Sequence, residues 1–199
     1  MSTIGLDKPC FAPITEDASG NETYGTPVAL AKAIKADLTV NLASALLYAD
    51  DGIDESVKEF QSGTLSLGVN DIGAANAAAL TGATVDSNGV LVSRSEDVAP
   101  YVAVGFRAKR PNGKYRYFWL YRVQFGVPAT NLATKGESIT FNTPTIEGTV
   151  MRRNKPDAQD KHPWKAEATE GDTNVATATI TGWLTSVYEP SYASGGGNS

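Results

Sequence analysis

Ile34-Lys35-Ala36-Asp37-Leu38-Thr39-Val40-Asn41-Leu42 alternates without a break over nine residues. Ile34, Ala36, Leu38, Val40 and Leu42 share one side, and Lys35, Asp37, Thr39 and Asn41 the other. Side chains on a strand change face at every residue, so this pattern predicts a strand with one buried and one wet face. A second alternating run, Leu65, Leu67 and Val69, with Thr64 and Ser66 between, predicts its partner over residues 64–70. The two are expected to pair, joined by a protruding acidic segment around residues 50–54.

Working outward, β signals dominate. Residues 8–15 carry Pro9 and Pro13 and read as an edge strand or arm, closed into a hairpin by the turn cluster 16–22. Residues 101–109 and 114–125 read as a long hairpin around the Asn112-Gly113 turn signal. In its second arm Tyr115, Tyr117, Trp119, Tyr121, Val123 and Phe125 are expected on one face. Phe118 and Leu120 make the other face apolar too, as in a central strand covered on both sides. Asp86-Ser87-Asn88-Gly89 reads as a turn, residues 138–141, 145–150 and 176–188 as further strands, and 152–165 as a surface loop. One short helix is expected over the alanine-rich residues 72–80, capped by Asn70 or Asp71 and stopped by Gly82. At that length it needs a sheet to pack on. These elements predict a mainly β chain, a β-sandwich or partly closed barrel with one flanking helix. It is expected to be a single domain over residues 1–190, followed by a flexible Gly/Ser-rich tail over 191–199.

Composition narrows the function classes. The 199 residues with 41% apolar content are enough for a packed core. The single cysteine, Cys10, forms no internal disulfide, which fits a reducing compartment. There is no signal-peptide core at Met1 and no apolar run of membrane-spanning length, so no membrane partner is expected and the chain reads as made in a cytoplasm. The net charge of −5 argues against a dedicated nucleic-acid binder, and the aromatic and basic stretch 107–122 reads better as a sheet core with snorkelling edges. The first hundred residues carry 14 acidic and 5 basic side chains, the remainder 8 and 12. Unlike halves can pair between copies, head to tail, although both can equally form one mixed surface.

Catalytic patterns are missing. His162, the single histidine, lies in Lys161-His162-Pro163-Trp164, away from any nucleophile motif. One His and one Cys do not supply a zinc site. Asp50-Asp51-Gly52-Ile53-Asp54-Glu55 has the wrong glycine position for an EF-hand. There is no phosphate-binding loop. The sequence therefore predicts a non-enzyme with no cofactor, no metal and no catalytic residue.

Several stretches together resemble the major tail tube proteins of siphophages, the long-tailed, non-contractile bacteriophages of Gram-positive bacteria. They are Leu6-Asp7-Lys8-Pro9, Ala12-Pro13-Ile14-Thr15, Leu47-Tyr48-Ala49-Asp50-Asp51 and Gly63-Thr64-Leu65-Ser66-Leu67-Gly68-Val69-Asn70-Asp71. Gly105-Phe106-Arg107-Ala108-Lys109, the run from Gly113 to Arg122, Thr143-Pro144-Thr145-Ile146-Glu147-Gly148-Thr149 and the close from Gly182-Trp183 to Tyr188-Glu189-Pro190 complete the set. The resemblance rests on their order and spacing over residues 5–190. It implies a virion protein similar in fold to type VI secretion tube proteins. Hexameric rings would join their inner sheets into a barrel and stack into a tail tube through which double-stranded DNA passes. Tape-measure, tail-terminator and distal-tail proteins are the partners it implies.

On that reading, Leu46, Leu47, Tyr48, Asp50, Asp51, Asp54, Glu55 and Glu59 are candidates for the contact between subunits or rings, within an arm spanning 43–62. Lys35, Asp37, Thr39, Asn41, Thr64 and Ser66 are candidates for the luminal face, where acidic character would keep phosphates from sticking. The alternative is a monomeric carbohydrate- or receptor-binding β-sandwich module of a phage tail or baseplate, with Trp164 or Trp183 in an exposed aromatic patch.

Overall fold

The computed structural model of the chain describes residues 3–49, 52–128 and 143–192. Its strands are β1 (Gly5–Glu16), β2 (Glu22–Tyr24), β3 (Val28–Ala29), β4 (Ala33–Ala49), β5 (Gly52–Val69), β6 (Thr84–Val85), β7 (Leu91–Val92), β8 (Tyr101–Lys109), β9 (Tyr115–Phe125), β10 (Thr145–Met151) and β11 (Lys165–Thr169). Two helices, α1 (Ala74–Thr81) and α2 (Thr177–Gly182), complete the described elements. Nine strands form one antiparallel sheet in the order β2-β1-β8-β9-β10-β5-β4, with β3 on β1 and β11 on β9; it does not close into a barrel. β6 and β7 pair separately.

The architecture is mainly β, as the alternation predicts, with three differences. Residues 8–15 are not at an edge, because β1 lies between β8 and the short strands β2 and β3. Pro9 is tolerated there because a bulge at Lys8 and Pro9 interrupts the ladder to β8, while Pro13 is the last residue of that ladder, opposite Val102. Residues 176–188, expected as a strand, begin with α2 and continue as turns. Thr177, Thr179 and Ile180 gave that stretch its β-like composition, but Trp183 and Val187 pack it onto the sheet instead. The surface loop expected to run to Lys165 ends where β11 begins. Residues 138–141 lie outside the described residues.

The helix expected over 72–80 forms over α1, ended by Gly82 at a left-handed φ of 79°. Its N-cap is Gly73, not Asn70 or Asp71, and no side chain caps it. Asn70 instead clasps the start of β4, accepting the Lys32 N–H through Oδ1 at 3.0 Å and donating its own N–H to Lys32 O at 3.0 Å. α1 is held by burial of Ala77 and Leu80 and by Asn76 Nδ2, which donates to the carbonyls of Ala29 and Leu30.

β9 is the central strand, covered on both faces, and it is bulged. Between the pairs Val102↔Val123 and Val104↔Leu120 it carries one extra residue. A one-residue insertion reverses the facing of everything beyond it. Tyr117, Trp119 and Tyr121 therefore join Ala103, Trp183 and Val187 on one side. Val123 and Phe125 join Leu120, Val102 and Val104 on the other, with Leu65, Leu67, Ile146 and Leu80. The single odd-numbered face expected for residues 115–125 is thus split between two cores. Arg122, at the bulge, meets Glu16 and the buried Glu22, and its guanidinium lies 3.7 Å from the Tyr101 ring centroid. Glu22 also accepts the Asn154 N–H at 2.9 Å, so a buried charge is fully engaged rather than stranded. Trp119 Nε1 donates to Trp183 O at 2.7 Å and Tyr121 Oη to Tyr188 O at 2.8 Å, tying the C-terminal segment over the second core. Burial raises the Tyr121 phenol well above its ordinary value.

Four turns repeat one design. Asp17, Asp86, Arg110 and Asp157 each accept the N–H three residues on and donate to the carbonyl four residues on. The fourth residue of each turn is left-handed, namely Gly20, Gly89, Gly113 and Asp160. This is the three-residue hairpin loop that the Asn-Gly signal implies.

Candidate functional site: a free-edged β-ribbon

β4 and β5 run for 17 and 18 residues. Strands of roughly 3–10 residues are usual. The length follows from the sequence, since nothing between Leu42 and Asp50 breaks a strand: there is no Gly, Pro or Asn. The acidic loop expected around residues 50–54 is correspondingly short. Tyr48 pairs with Ile53 and Ala49 with Gly52, so Ile53, Asp54 and Glu55 belong to β5. Asp50 and Asp51 lie outside the described residues.

β10 supports β5 only from Gly63 to Gly68. Beyond that point residues 41–49 and 52–62 pair with each other alone, a two-stranded ribbon of roughly 30 Å at 3.3 Å per residue. Every described side chain in 41–44 and 56–59 is exposed, on both faces, with Leu42 at 55% and Val57 at 50%. At the ribbon's root Phe60 stacks on Trp164, ring centroids 4.3 Å apart and planes 2° from parallel. β5 bulges there too, between the pairs Asn41↔Ser62 and Leu42↔Phe60. β4 is also the last strand of the sheet, so its outer backbone edge has no partner among the described residues.

The candidate contact residues are brought together along this ribbon. Leu46 pairs with Ser56, Leu47 with Glu55 and Ala43 with Glu59, with Asp54 at a bulge next to the Tyr48↔Ile53 pair. Glu59 is exposed.

The candidate luminal residues also converge. Asp37 lies opposite Ser66, Thr39 opposite Thr64, and Lys35 forms an ion pair with Asp37 at 2.5 Å. Asn41 Nδ2 donates to Ser62 Oγ at 3.3 Å. On the next strand Glu147 lies opposite Ser66 and Thr149 opposite Thr64, so the polar face extends across three strands and gains an acid that the sequence reading missed. The opposite face of β4 is only half covered. Ala36 and Leu38 pack on the core, but Ile34 is 53%, Val40 39% and Leu42 55% exposed. The expectation of a wholly buried face is corrected at both ends: Ile34 is the extra residue of a bulge between the pairs Ala33↔Val69 and Lys35↔Gly68, and at the other end β4 runs past the core that would cover Val40 and Leu42.

The two tryptophans that could anchor a glycan are both engaged within the chain. Trp183 is buried, and one face of Trp164 is taken by Phe60. His162 Nδ1 lies 3.1 Å from Arg153 O in the loop before β11. Among the described residues no group of three or more His, Cys, Asp and Glu is placed to hold a metal, and no helix is long and apolar enough to cross a membrane.

A second feature is invisible in the sequence. A cleft of about 1070 Å³ opens between the first half of β1, the start of β9 and the segment carrying α2. Val175, Ile180 and Leu184 line it, half-buried, and Lys8, Arg107 and Lys114 supply its cations. Cys10 faces it from beneath; burial pushes its thiol up to about 11, partly offset by the hydrogen bond to Gly105 O.

No family model matches the chain, and no curated protein does.

Proposed function

We propose that this chain is a structural subunit that assembles with copies of itself into a tube, as the major tail tube proteins it resembles do. The observation that carries the reading is β4 with its ribbon: a 17-residue strand whose outer edge has no partner among the described residues, continued by a hairpin whose side chains at 41–44 and 56–59 are all exposed. An open edge of that length is a template for strand addition, and folded proteins that stay monomeric blunt such edges. β4 has no proline and only one lysine, Lys35, along it. A two-stranded ribbon is also marginal in water by itself and gains its stability from a partner.

Edge pairing between neighbouring copies extends the sheet and carries the polar face of Lys35, Asp37, Thr39, Asn41, Thr64, Ser66 and Glu147 around an inner wall. With Asp37 and Glu147 against Lys35, that wall is weakly acidic and does not hold a phosphate backbone. In this reading the product is the virion tail tube, built from rings that are hexameric by resemblance, with DNA in transit and the tape-measure, terminator and distal-tail proteins as partners. The exposed Ile34, Val40 and Leu42 become contact surface.

The test is negative-stain electron microscopy of the purified chain over a concentration series, beside a variant lacking residues 49–56. Rings or filaments from the parent and a folded, non-polymerising variant are expected. A parent that stays monomeric at high concentration, or a variant forming normal tubes, defeats the reading.

A further inference from the structure

We infer that the cleft between β1, β9 and α2 is the receptor for the distal half of the ribbon of a second copy of this chain. This rests on the assembly reading above and adds to it the surface that receives the arm.

Size is the first argument. Small-molecule sites occupy roughly 300–1,000 Å³ and enclose their ligand. This cleft, at about 1070 Å³, is at the top of that range and is not enclosed, which leaves room for a peptide segment. Its wall of Val175, Ile180 and Leu184 is apolar and half-buried, so it gains by being covered. The distal ribbon is rich in what such a wall needs, with Leu46, Leu47, Tyr48, Ile53 and Val57.

Charge is the second. Within the cleft Arg107 is already bound to Asp7 at 2.6 Å, and Glu170 already accepts the Tyr115 N–H at 2.9 Å. Lys8 and Lys114 remain at the rim, exposed and without an ion pair among the described residues, while Asp172 on the same lining accepts the Asn174 N–H at 3.0 Å. By sequence the ribbon carries the acids Asp54, Glu55 and Glu59 and one base, Lys58. Two lysines without an ion pair and an acidic arm are complementary, and the like-charged pairing of arm with arm is disfavoured.

Backbone strain is the third. Lys8 has a φ of 51°, left-handed although it is not glycine, and it precedes Pro9, a position that favours extended backbone. The bulge that imposes this conformation places Lys8 at the cleft mouth. Strain of this kind at a rim residue marks a contact position. Arm and cleft are different surfaces of one chain, so their union is head to tail and propagates as a ring or filament.

Charge reversal and cross-linking test this together. K8E/K114E and, separately, D54K/E55K are each expected to raise the concentration needed for assembly at least about tenfold, and the four changes in one chain to restore it. Circular dichroism establishes that each variant folds. A mixture of S56C and K114C chains, treated with a short bis-maleimide, is expected to give a 1:1 dimer; the buried, protonated Cys10 thiol does not compete. If the parent chain does not assemble at all, both readings fall. If it assembles while K8E/K114E assembles equally well, if the reversal is not rescued, or if no Ser56-to-Lys114 cross-link forms between chains, the cleft is not the receptor and the assembly reading stands.

Discussion

Phe60 and Trp164 lie face to face at 4.3 Å, and this stack is the point where the β4–β5 ribbon leaves the body of the protein. Phe60 is the partner of Leu42, one residue outside the bulge, and Trp164 immediately precedes β11. The stack couples the direction of the ribbon to the sheet. Trp164→Ala is expected to lower global stability by about 2–3 kcal/mol, the pair term plus the area of a half-buried indole on the core. Amide exchange at residues 42–44 and 56–60 is expected to speed up selectively. Trp164→Phe keeps a stacking partner and is expected to retain most of the protection. Uniform loss of protection across β8 and β9 in Trp164→Ala would show that the stack is not local to the ribbon.

Gly105 lies under the Trp119 indole. A Cβ at this position would come 2.7 Å from Trp119 Cη2, closer than two carbons approach. Gly105→Ala is expected to cost about 1–3 kcal/mol through overpacking. The indole would be forced off its hydrogen bond to Trp183 O, so loss of near-ultraviolet circular dichroism is expected along with a lower urea midpoint. An unchanged midpoint would mean that the ring has room to move.

Asp160 occupies the left-handed position that glycine fills in the three sister turns, with a φ of 56°. Asp160→Gly removes that strain and adds freedom to the unfolded chain; the two effects leave a gain of about 0.5 kcal/mol. This corresponds to a rise in Tm of about 1–2 °C for a chain of this size. Asp160→Ala is expected to move Tm the other way. Calorimetry of the two variants decides it.

The turns also set an acid dependence. The Asp17 carboxylate is held below its ordinary value by the Asn21 side chain first and then by the Asn21 and Ser19 amides. Asp86 is held down by the Val90 amide first and then by Asn88. A carboxylate whose folded pKa is depressed contributes stability above its unfolded value near 3.9, and that contribution is lost as pH falls through the folded value. Stability is therefore expected to be flat from neutral pH down to about 5 and to decline below about 4. The decline should be shallower in Asp17→Asn/Asp86→Asn, measured by urea titration at each pH.

The pairing of 34–42 with 64–70 was legible because alternation encodes facing directly. The same period hides a bulge. Tyr117 to Phe125 keeps its odd-numbered apolar pattern straight through the extra residue, and only the ladder to Val102 and Val104 shows that the facing has reversed. The ribbon was half legible. Ala43 to Ala49 holds no breaker, but the acids from Asp50 on read as loop because their partners across the hairpin are not apparent along the chain. The cleft was not legible at all, since Lys8, Lys114 and Ile180 meet only through tertiary packing. α2 was misread because Thr and Ile carry β propensity, whereas burial of Trp183 decided the local geometry.

The β9 bulge sets where this chain tolerates a change in length. Pair β9 regularly at its present length and Val123 and Phe125 move to the side of Trp119, emptying their places among Leu65, Leu67 and Ile146; one residue deleted at the bulge keeps their facing, whereas one deleted elsewhere in the strand reverses the facing beyond it. Such a deletion acts like a frameshift for facing, damaging two cores at once. Matched shortening of the ribbon between residues 43 and 58 acts where β10 gives β5 no support and leaves the residues of both cores in place. Over generations, length should therefore drift in the arm and stay frozen at the centre of the sheet, so that the reach of the molecule can be retuned without rebuilding the part that folds it.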